Sequence, residues 1–167
     1  MITIRQEKPE DVAAIYTVNE QAFGQAAEAE LVDKLRANGK VTLSLVAVQD
    51  GEIVGHILFS PMTIESGEQT FAAVGLGPMA VRPEFQKQGI GSQLIARGLE
   101  QCRAHGHACV IVLGHPEYYP RFGFVPASRY GIRCEYDVPD EVFMALELRD
   151  GALGAGLAKY QPEFNEV

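Results

Sequence analysis

A glycine turn, a helix and a short apolar strand follow one another near the middle of the sequence, and this succession restricts the fold more than any other feature. Gly89 and Gly91 begin a segment whose apolar residues repeat at helical spacing as far as Cys102. Residues 108–113 are then continuously apolar, which is typical of a strand buried on both faces. Because a strand reached through a helical crossover runs parallel to its predecessor, the sheet must contain a parallel pair.

Tight turns join the strands that precede this crossover. Residues 43–48 and 53–59 flank an Asp50-Gly51 turn, and residues 70–81 follow a second glycine turn. Strands joined in this way pair antiparallel. With residues 2–5 at the start and 142–148 at the end, the pattern predicts a mixed, mostly antiparallel central sheet of about six to seven strands in an α/β (α+β) fold.

Two helices are predicted between the first and second strands. Residues 9–23 begin with proline and two acids and continue with apolar residues at helical spacing. Residues 26–37 form the second helix, which Asn38-Gly39 ends. With the crossover helix, we expect helices on both faces of the sheet.

Length and charge restrict the class of protein. A chain of 167 residues matches one domain, and we assign the domain to residues 1–149, with residues 150–167 as a C-terminal tail that packs on it or extends from it. A net charge of −8 disfavours nucleic-acid binding. No apolar run reaches the roughly 20 residues of a membrane span, and the N-terminal residues lack a secretory signal, so we expect a cytoplasmic protein without a membrane partner.

The glycine turn predicts a phosphate site. Glycines without a Cβ at a helix start let backbone N–H groups approach an anion, and the helix dipole favours its charge. Lys87 and Arg82 flank the turn. The Walker A and dinucleotide-binding patterns are both absent. The alternative is that Gly89 and Gly91 only permit close packing.

Two segments carry a resemblance to a known family. Residues 86–91, Gln-Lys-Gln-Gly-Ile-Gly, follow a strand that ends in Pro-Met-Ala-Val, and together they resemble motif A of the GNAT superfamily of acyl-CoA N-acyltransferases. Residues 118–124, Tyr-Tyr-Pro-Arg-Phe-Gly-Phe, resemble the family's Phe-Tyr-x-x-x-Gly-Phe segment. The order of elements over residues 1–149 is also similar. Residues 113–119 and the tail residues 160–164 resemble the YhbS-like branch of bacterial acetyltransferases.

The resemblance implies acetyl-CoA as co-substrate and a set of residues that contact the coenzyme. The main chain of Met79, Ala80 and Val81 would pair with the pantetheine arm. The amides of the turn would hold the pyrophosphate, with Gln86 fixing the turn; the residues concerned are Gln86, Lys87, Gln88, Gly89, Ile90, Gly91 and Ser92.

Tyr119, which matches the family tyrosine, is the predicted general acid. A phenol with a pKa near 10 keeps its proton at neutral pH and can protonate the departing thiolate. The Met79 or Ala80 amide is the expected donor to the thioester oxygen. The alternative for Tyr119 is a buried aromatic beside Phe122 and Phe124.

The general base remains open in the sequence. Many family members carry a carboxylate on the fourth strand, but residues 74–77, Val-Gly-Leu-Gly, offer none. His56, His115 and Glu117 are candidates, acting directly or through water, each with a structural role as its alternative. The substrate amine can also lose its proton to bulk water.

The predicted function is an acetyl-CoA-dependent N-acetyltransferase that transfers an acetyl group to a primary amine by direct attack in a ternary complex. The partner would be a small-molecule or peptide amine acceptor. The alternative is a non-catalytic acyl-CoA-binding sensor or partner-binding module. Oligomeric state stays open, with a homodimer as one alternative.

Two cysteines and two histidines that lie close together in the sequence raise the question of a zinc site. The cluster consists of Cys102, His105, His107 and Cys109, and its spacing matches no familiar zinc pattern. We therefore expect no metal.

Overall fold

Residues 1–165 and 167, which this computed structural model describes, form three α-helices and nine β-strands. The helices are α1 (Val12–Phe23), α2 (Ala27–Ala37) and α3 (Ile90–Ala104). The strands are β1 (Ile2–Gln6), β2 (Leu43–Gln49), β3 (Glu52–Ser66), β4 (Gln69–Val81), β5 (Cys109–Leu113), β6 (Val125–Pro126), β7 (Ile132–Cys134), β8 (Phe143–Glu147) and β9 (Gly156–Lys159). No helix among these residues is long and apolar enough to cross a membrane.

The strands follow the order β1-β2-β3-β4-β5-β8-β6, and β9 pairs with β3 and β7. The β4–β5 pair is parallel, as the crossover through α3 predicts. The β1–β2, β2–β3 and β5–β8 pairs are antiparallel. The predicted mixed, mostly antiparallel sheet is therefore confirmed, and β7 and β9 extend it beyond the seven strands that the sequence indicates.

The chain divides into two compact units, and β3, β4 and α3 each contribute residues to both. The first unit contains Met1–Ser60, Gly77–Glu100 and Pro162–Val167. The second contains Pro61–Leu76 and Gln101–Gln161.

In the first unit, helices cover both faces of the β2–β3 hairpin. Ile15 of α1 and Leu35 of α2 pack in one cluster with Val46 and Leu58. On the opposite face, Gly98 of α3 lies against the Phe59 ring so closely that a Cβ there would overlap it. This arrangement confirms the predicted placement of helices on both faces.

In the second unit, the core is built on the strand pairs of β5 and β9. Ile111 of β5 and Ala145 of β8 are paired and fully buried. Residues 157–159 of β9 pair with 63–65 of β3, and Ala158 is fully buried. The segment after residue 149 thus contains a sheet strand; the domain boundary at that residue stays a prediction.

Candidate functional site

The end of β4 supplies the residues expected to contact a pantetheine arm. Ala80 and Val81 are buried, with 2% and 9% of their surfaces exposed, and Met79 is partly exposed. The Arg82 N–H donates to the Val54 carbonyl at 2.9 Å, which holds the end of β4 beside β3. The strand therefore presents this stretch of main chain in an extended conformation.

The turn after β4 has an unusual backbone. Gln86 to Gly89 are exposed, and Lys87 and Gly89 have φ angles of 64° and 82°. The left-handed region is unfavourable for a residue such as lysine, whereas glycine enters it freely. Left-handed residues beside right-handed ones turn successive N–H groups toward one side and create an anion-binding concavity.

Two hydrogen bonds fix the turn at its ends. The Gln86 side-chain amide donates to the Val81 carbonyl at 3.0 Å. The Gln93 N–H donates to the Gly89 carbonyl at 3.1 Å, which makes Gly89 the first acceptor of α3. Ile90 is buried and anchors the helix start. The positive end of the α3 dipole consequently lies at this exposed turn.

The two cations predicted to flank the turn differ in their environments. Arg82 lies 3.1 Å from a Glu84 oxygen and 3.6 Å from a Glu52 oxygen, and its guanidinium stacks over the Phe85 ring. Its charge is largely compensated by these carboxylates. Lys87 is exposed within the turn itself. The turn therefore fits a phosphate group through backbone amides, the helix dipole and Lys87.

Tyr119 lies in the second unit, in a one-turn helix (Tyr119–Phe122) after β5. Its side chain is buried, and its ring meets those of Tyr118 and Phe124 edge to face at centroid distances of 5.3 and 5.8 Å. Burial, and to a smaller degree Tyr118, raises the pKa of Tyr119 to about 12. The phenol therefore keeps its proton throughout the physiological range.

His56, one candidate base, is fully buried and hydrogen-bonded at both ring nitrogens. Nε2 lies 2.8 Å from Ser44 Oγ, and Nδ1 lies 3.2 Å from the Asn19 side-chain amide nitrogen. Ser44 in turn donates to Glu7, which Arg36 binds through two hydrogen bonds of 2.8 and 3.0 Å. We call Glu7, Asn19, Arg36, Ser44 and His56 the His56 network.

The hydrogen bonds assign the tautomer of His56. Because the Ser44 hydroxyl donates to Glu7, it accepts from Nε2–H, and Nδ1 accepts from the Asn19 amide. Burial, reinforced by Arg36 and opposed by Glu7, lowers the pKa of His56 to about 4. Both nitrogens already have protein partners, so His56 has a structural role and is not available as a base.

The other two candidate bases lie in the exposed segment between β5 and the Tyr119 helix. His115 and Glu117 are exposed. The His115 carbonyl accepts hydrogen bonds from the N–H groups of Tyr118 and Tyr119 at 3.1 and 3.3 Å. The backbone of His115 thus shapes the loop, while its imidazole faces solvent.

Sequence reasoning did not identify the partners of His56. Asn19 carries the one signal that could have found them, because it occupies a position on the apolar face of α1. A polar residue on such a face needs a buried partner. Glu7, Ser44 and Arg36 come from three other segments, and only the fold brings them together.

In the part of the chain that the structure describes, no group of three or more His, Cys, Asp or Glu side chains that could hold a metal ion is found. Cys102 and Cys109 are buried free thiols. Burial raises the pKa of each to about 11. The Glu147 charge adds to the shift at Cys109.

Comparison with known proteins identifies the family. The model of the acetyltransferase (GNAT) domain matches residues 3–127. The N-acetyltransferase YhbS of Escherichia coli K12 is 37% identical over 165 residues, which cover 97% of this chain and 98% of YhbS.

Two solved structures share the fold over nearly the whole chain. The structure of E. coli YhbS in complex with CoA has a TM-score of 0.93 and 36% identity, and the match covers 98% of this chain and 92% of that one. A GNAT family acetyltransferase from Brucella melitensis in complex with acetyl-CoA has a TM-score of 0.83 and 38% identity, and the match covers 98% of both chains. With the family model, these similarities show that the chain belongs to the GNAT family of acetyltransferases.

Proposed function

We propose that this acetyltransferase moves an acetyl group from acetyl-CoA to a primary amine by direct attack within a ternary complex. The observation that carries the proposal is the turn at the start of α3, where Lys87 and Gly89 adopt left-handed conformations. Two relatives at 36% and 38% identity were solved with CoA and acetyl-CoA. Residues 86–91, which resemble motif A of the family, form a turn suited to an anion. This turn supports acetyl-CoA as the co-substrate of this chain.

The coenzyme contacts in this proposal come from the first unit. The amides from Lys87 to Ser92 bind the pyrophosphate, because a helix start offers N–H groups and a favourable dipole. The main chain of Met79, Ala80 and Val81 binds the pantetheine arm. Gln86 holds the turn through its bond to the Val81 carbonyl.

Tyr119 is the proposed general acid, and the Met79 or Ala80 amide the proposed donor to the thioester oxygen. A phenol with a pKa of about 12 is a weaker acid than an ordinary thiol. Desolvation raises the pKa of a thiol in the same way, which reduces the difference within a closed site. Release of CoA as an unprotonated thiolate within a site that excludes water costs more free energy than release as a thiol. Protonation by Tyr119 therefore accelerates the release of CoA.

The acceptor amine must lose its proton before it attacks. Since His56 is saturated with hydrogen bonds, the remaining candidates are His115 and Glu117, directly or through water, and bulk solvent. The acceptor itself is a small molecule or peptide with a primary amine. The net charge of −8 would attract cationic acceptors of this kind.

Thermal melting with acetyl-CoA tests the coenzyme site. Ligand at 100 times its Kd should add roughly 2.7 kcal/mol, or about 5 to 10 °C for a domain of this size. Gly89→Glu should abolish most of the shift, since it places a side chain and a negative charge at the anion site. Gly67→Glu is the matched control, because Gly67 also has a positive φ with open space around it. Equal shifts in both variants would contradict the assignment.

Thiol release from acetyl-CoA with a panel of amines tests the acid. Tyr119→Phe should lower kcat by about 10²-fold or more, the usual contribution of a general acid. Tyr130→Phe removes a hydroxyl elsewhere in the second unit and should leave kcat nearly unchanged. Unchanged turnover in Tyr119→Phe removes the acid assignment. Binding of acetyl-CoA without accelerated release by any amine would favour the sensor alternative.

A further inference from the structure

Gly114, directly after β5, lies against the ring of Tyr119. A Cβ at Gly114 would overlap Cε2 of Tyr119 and would lie 2.8 Å from Cδ2 and 3.2 Å from Cζ. Side-chain carbons in folded proteins do not approach so closely, because such contacts lie far inside van der Waals separation. The ring thus occupies the space that any other residue at position 114 would fill.

The neighbours of the ring restrict its movement. Tyr118 and Phe124 pack against it edge to face, and Phe124 is fully buried. The Tyr119 N–H is bonded to the His115 carbonyl at 3.3 Å, and the Gly114 N–H to the Val142 carbonyl at 3.0 Å. Both backbone segments are consequently fixed. We call Gly114, Tyr118, Tyr119 and Phe124 the Tyr119 cluster.

The affected ring atoms include the one that bears the hydroxyl. Cζ is the atom to which the phenolic oxygen is attached, and it is one of the three that a Cβ at Gly114 would crowd. A displacement of the ring by a methyl group would move the oxygen with it. Proton transfer depends on distances of about 2.6–3.2 Å between heavy atoms, so a shift of about 1 Å is enough to impair it.

We propose that Gly114 is a positioning residue for the acetyl transfer: its lack of a side chain sets where the Tyr119 hydroxyl lies. The inference rests on the proposed role of Tyr119 as general acid. The observed neighbour of Gly114 is the Tyr119 ring. Gly114 acts through the ring, and its effect on the rate must disappear when the hydroxyl is absent.

A double-mutant cycle separates positioning from simple packing. Phenylalanine retains Cδ2, Cε2 and Cζ, so Gly114→Ala meets the same crowding in the wild type and in Tyr119→Phe. The loss of thermal stability should therefore be similar in both backgrounds. The loss of kcat should appear only where the hydroxyl is present, because non-additivity marks residues that act as a unit.

The measured quantities are kcat and KM for acetyl-CoA in the thiol-release assay. Gly114→Ala should lower kcat about 10-fold or more and change KM for acetyl-CoA by less than about 2-fold, as expected for a loss confined to the transition state. In Tyr119→Phe, the same substitution should change kcat less than about 2-fold. Gly154→Ala is the control, because a Cβ at Gly154 would have nothing within 4 Å and the residue has no positive φ.

A spectroscopic measurement follows the ring without any acceptor. With ¹³Cζ-labelled tyrosine, the Tyr119 resonance is identified by its loss in Tyr119→Phe. Gly114→Ala should shift this resonance, because the added Cβ displaces the ring that carries the label. An unchanged resonance would overturn the inference. If Gly114→Ala alone does not fold, the substitution is combined with Phe124→Leu, whose smaller side chain gives the Tyr119 ring space to move. The double variant is then compared with Phe124→Leu alone.

The outcomes distinguish this inference from the proposal on which it rests. Full turnover in Tyr119→Phe refutes the acid role and, with it, the positioning role. A low kcat in Tyr119→Phe with a normal kcat in Gly114→Ala refutes only the positioning role, as does an equal kcat loss from Gly114→Ala in both backgrounds. A loss that vanishes in Tyr119→Phe supports both.

Discussion

The His56 network and the Tyr119 cluster both bury a titratable ring, but they do so by opposite means. His56 meets a polar partner at each ring nitrogen, whereas Tyr119 is enclosed by aromatic carbons and the bare backbone of Gly114. Burial lowers the pKa of His56 to about 4 and raises that of Tyr119 to about 12. A displaced pKa alone therefore does not identify a catalytic group; the saturation of hydrogen bonds separates the structural ring from the candidate acid.

The largest expected effect concerns the aromatic packing around Tyr119. Phe124→Ala removes a fully buried ring from the Tyr119 cluster and should lower the free energy of unfolding by about 3–5 kcal/mol. Phe71→Ala, at a side chain that is 40% exposed, should cost less than about 1 kcal/mol. Urea denaturation measures both. Similar losses at the two positions would show that the cluster is not well packed.

The free energy of unfolding, measured as a function of pH, tests the environment of His56. Folded His56 has a pKa of about 4, below the ordinary value of 6.5, so the unfolded chain binds the proton more readily between these values. The contribution of His56 is complete above about pH 6.5 and is lost as the pH falls toward 4, by about 3 kcal/mol in total. His56→Gln should remove this part of the pH dependence. A wild-type curve that is flat over this range would contradict the burial of a neutral imidazole.

Glu7 contributes at still lower pH. Burial by itself would raise the pKa of Glu7, but hydrogen bonds from Arg36 and Ser44 and the charge of Arg36 lower it below 4.5. Protonation of this carboxylate therefore removes further stability only when the pH falls below about 4.5. The stability that His56 contributes is lost between about pH 6.5 and 4, and that of Glu7 below about pH 4.5. In His56→Gln, the remaining loss of stability at low pH therefore reports Glu7.

The smallest effect tests the link between the two groups. Ser44→Ala leaves Nε2–H of His56 without its acceptor and should cost about 1–3 kcal/mol, the usual penalty for an unsatisfied buried donor. Ser128→Ala, at an exposed serine, should stay within about 0.5 kcal/mol. Urea unfolding at pH 7 compares them. A loss at Ser44 no larger than that at Ser128 would mean that the network contributes little.

The elements of the fold were predictable where a local pattern determines them. The Asp50-Gly51 turn identified the β2–β3 hairpin, and the apolar strand after α3 identified the parallel pair. By contrast, β7 has three residues and β9 has four, too few for an alternation of apolar and polar residues to be legible. They exist because partner strands distant in sequence pair with them.

The candidate site also has features that local sequence predicts and features that it does not. The glycine turn is local, since the strand end, Gly89 and the helix start are consecutive in sequence. The role of Gly114 depends on a contact with a ring five residues away across a bend, and the His56 network joins five segments of the chain. Glycine has no side chain by which a pattern could reveal its neighbour. Such contacts become visible only when the chain is folded.

The burial of two cysteines also has a consequence for chemical labelling. With a pKa of about 11, Cys102 and Cys109 are about 0.1% thiolate at pH 8, and both are enclosed by the protein. Half-buried Cys134 is the most accessible of the three thiols. An aromatic disulfide reagent should therefore modify at most one cysteine in the native protein and all three after unfolding, so the number of modified thiols reports opening of the second unit.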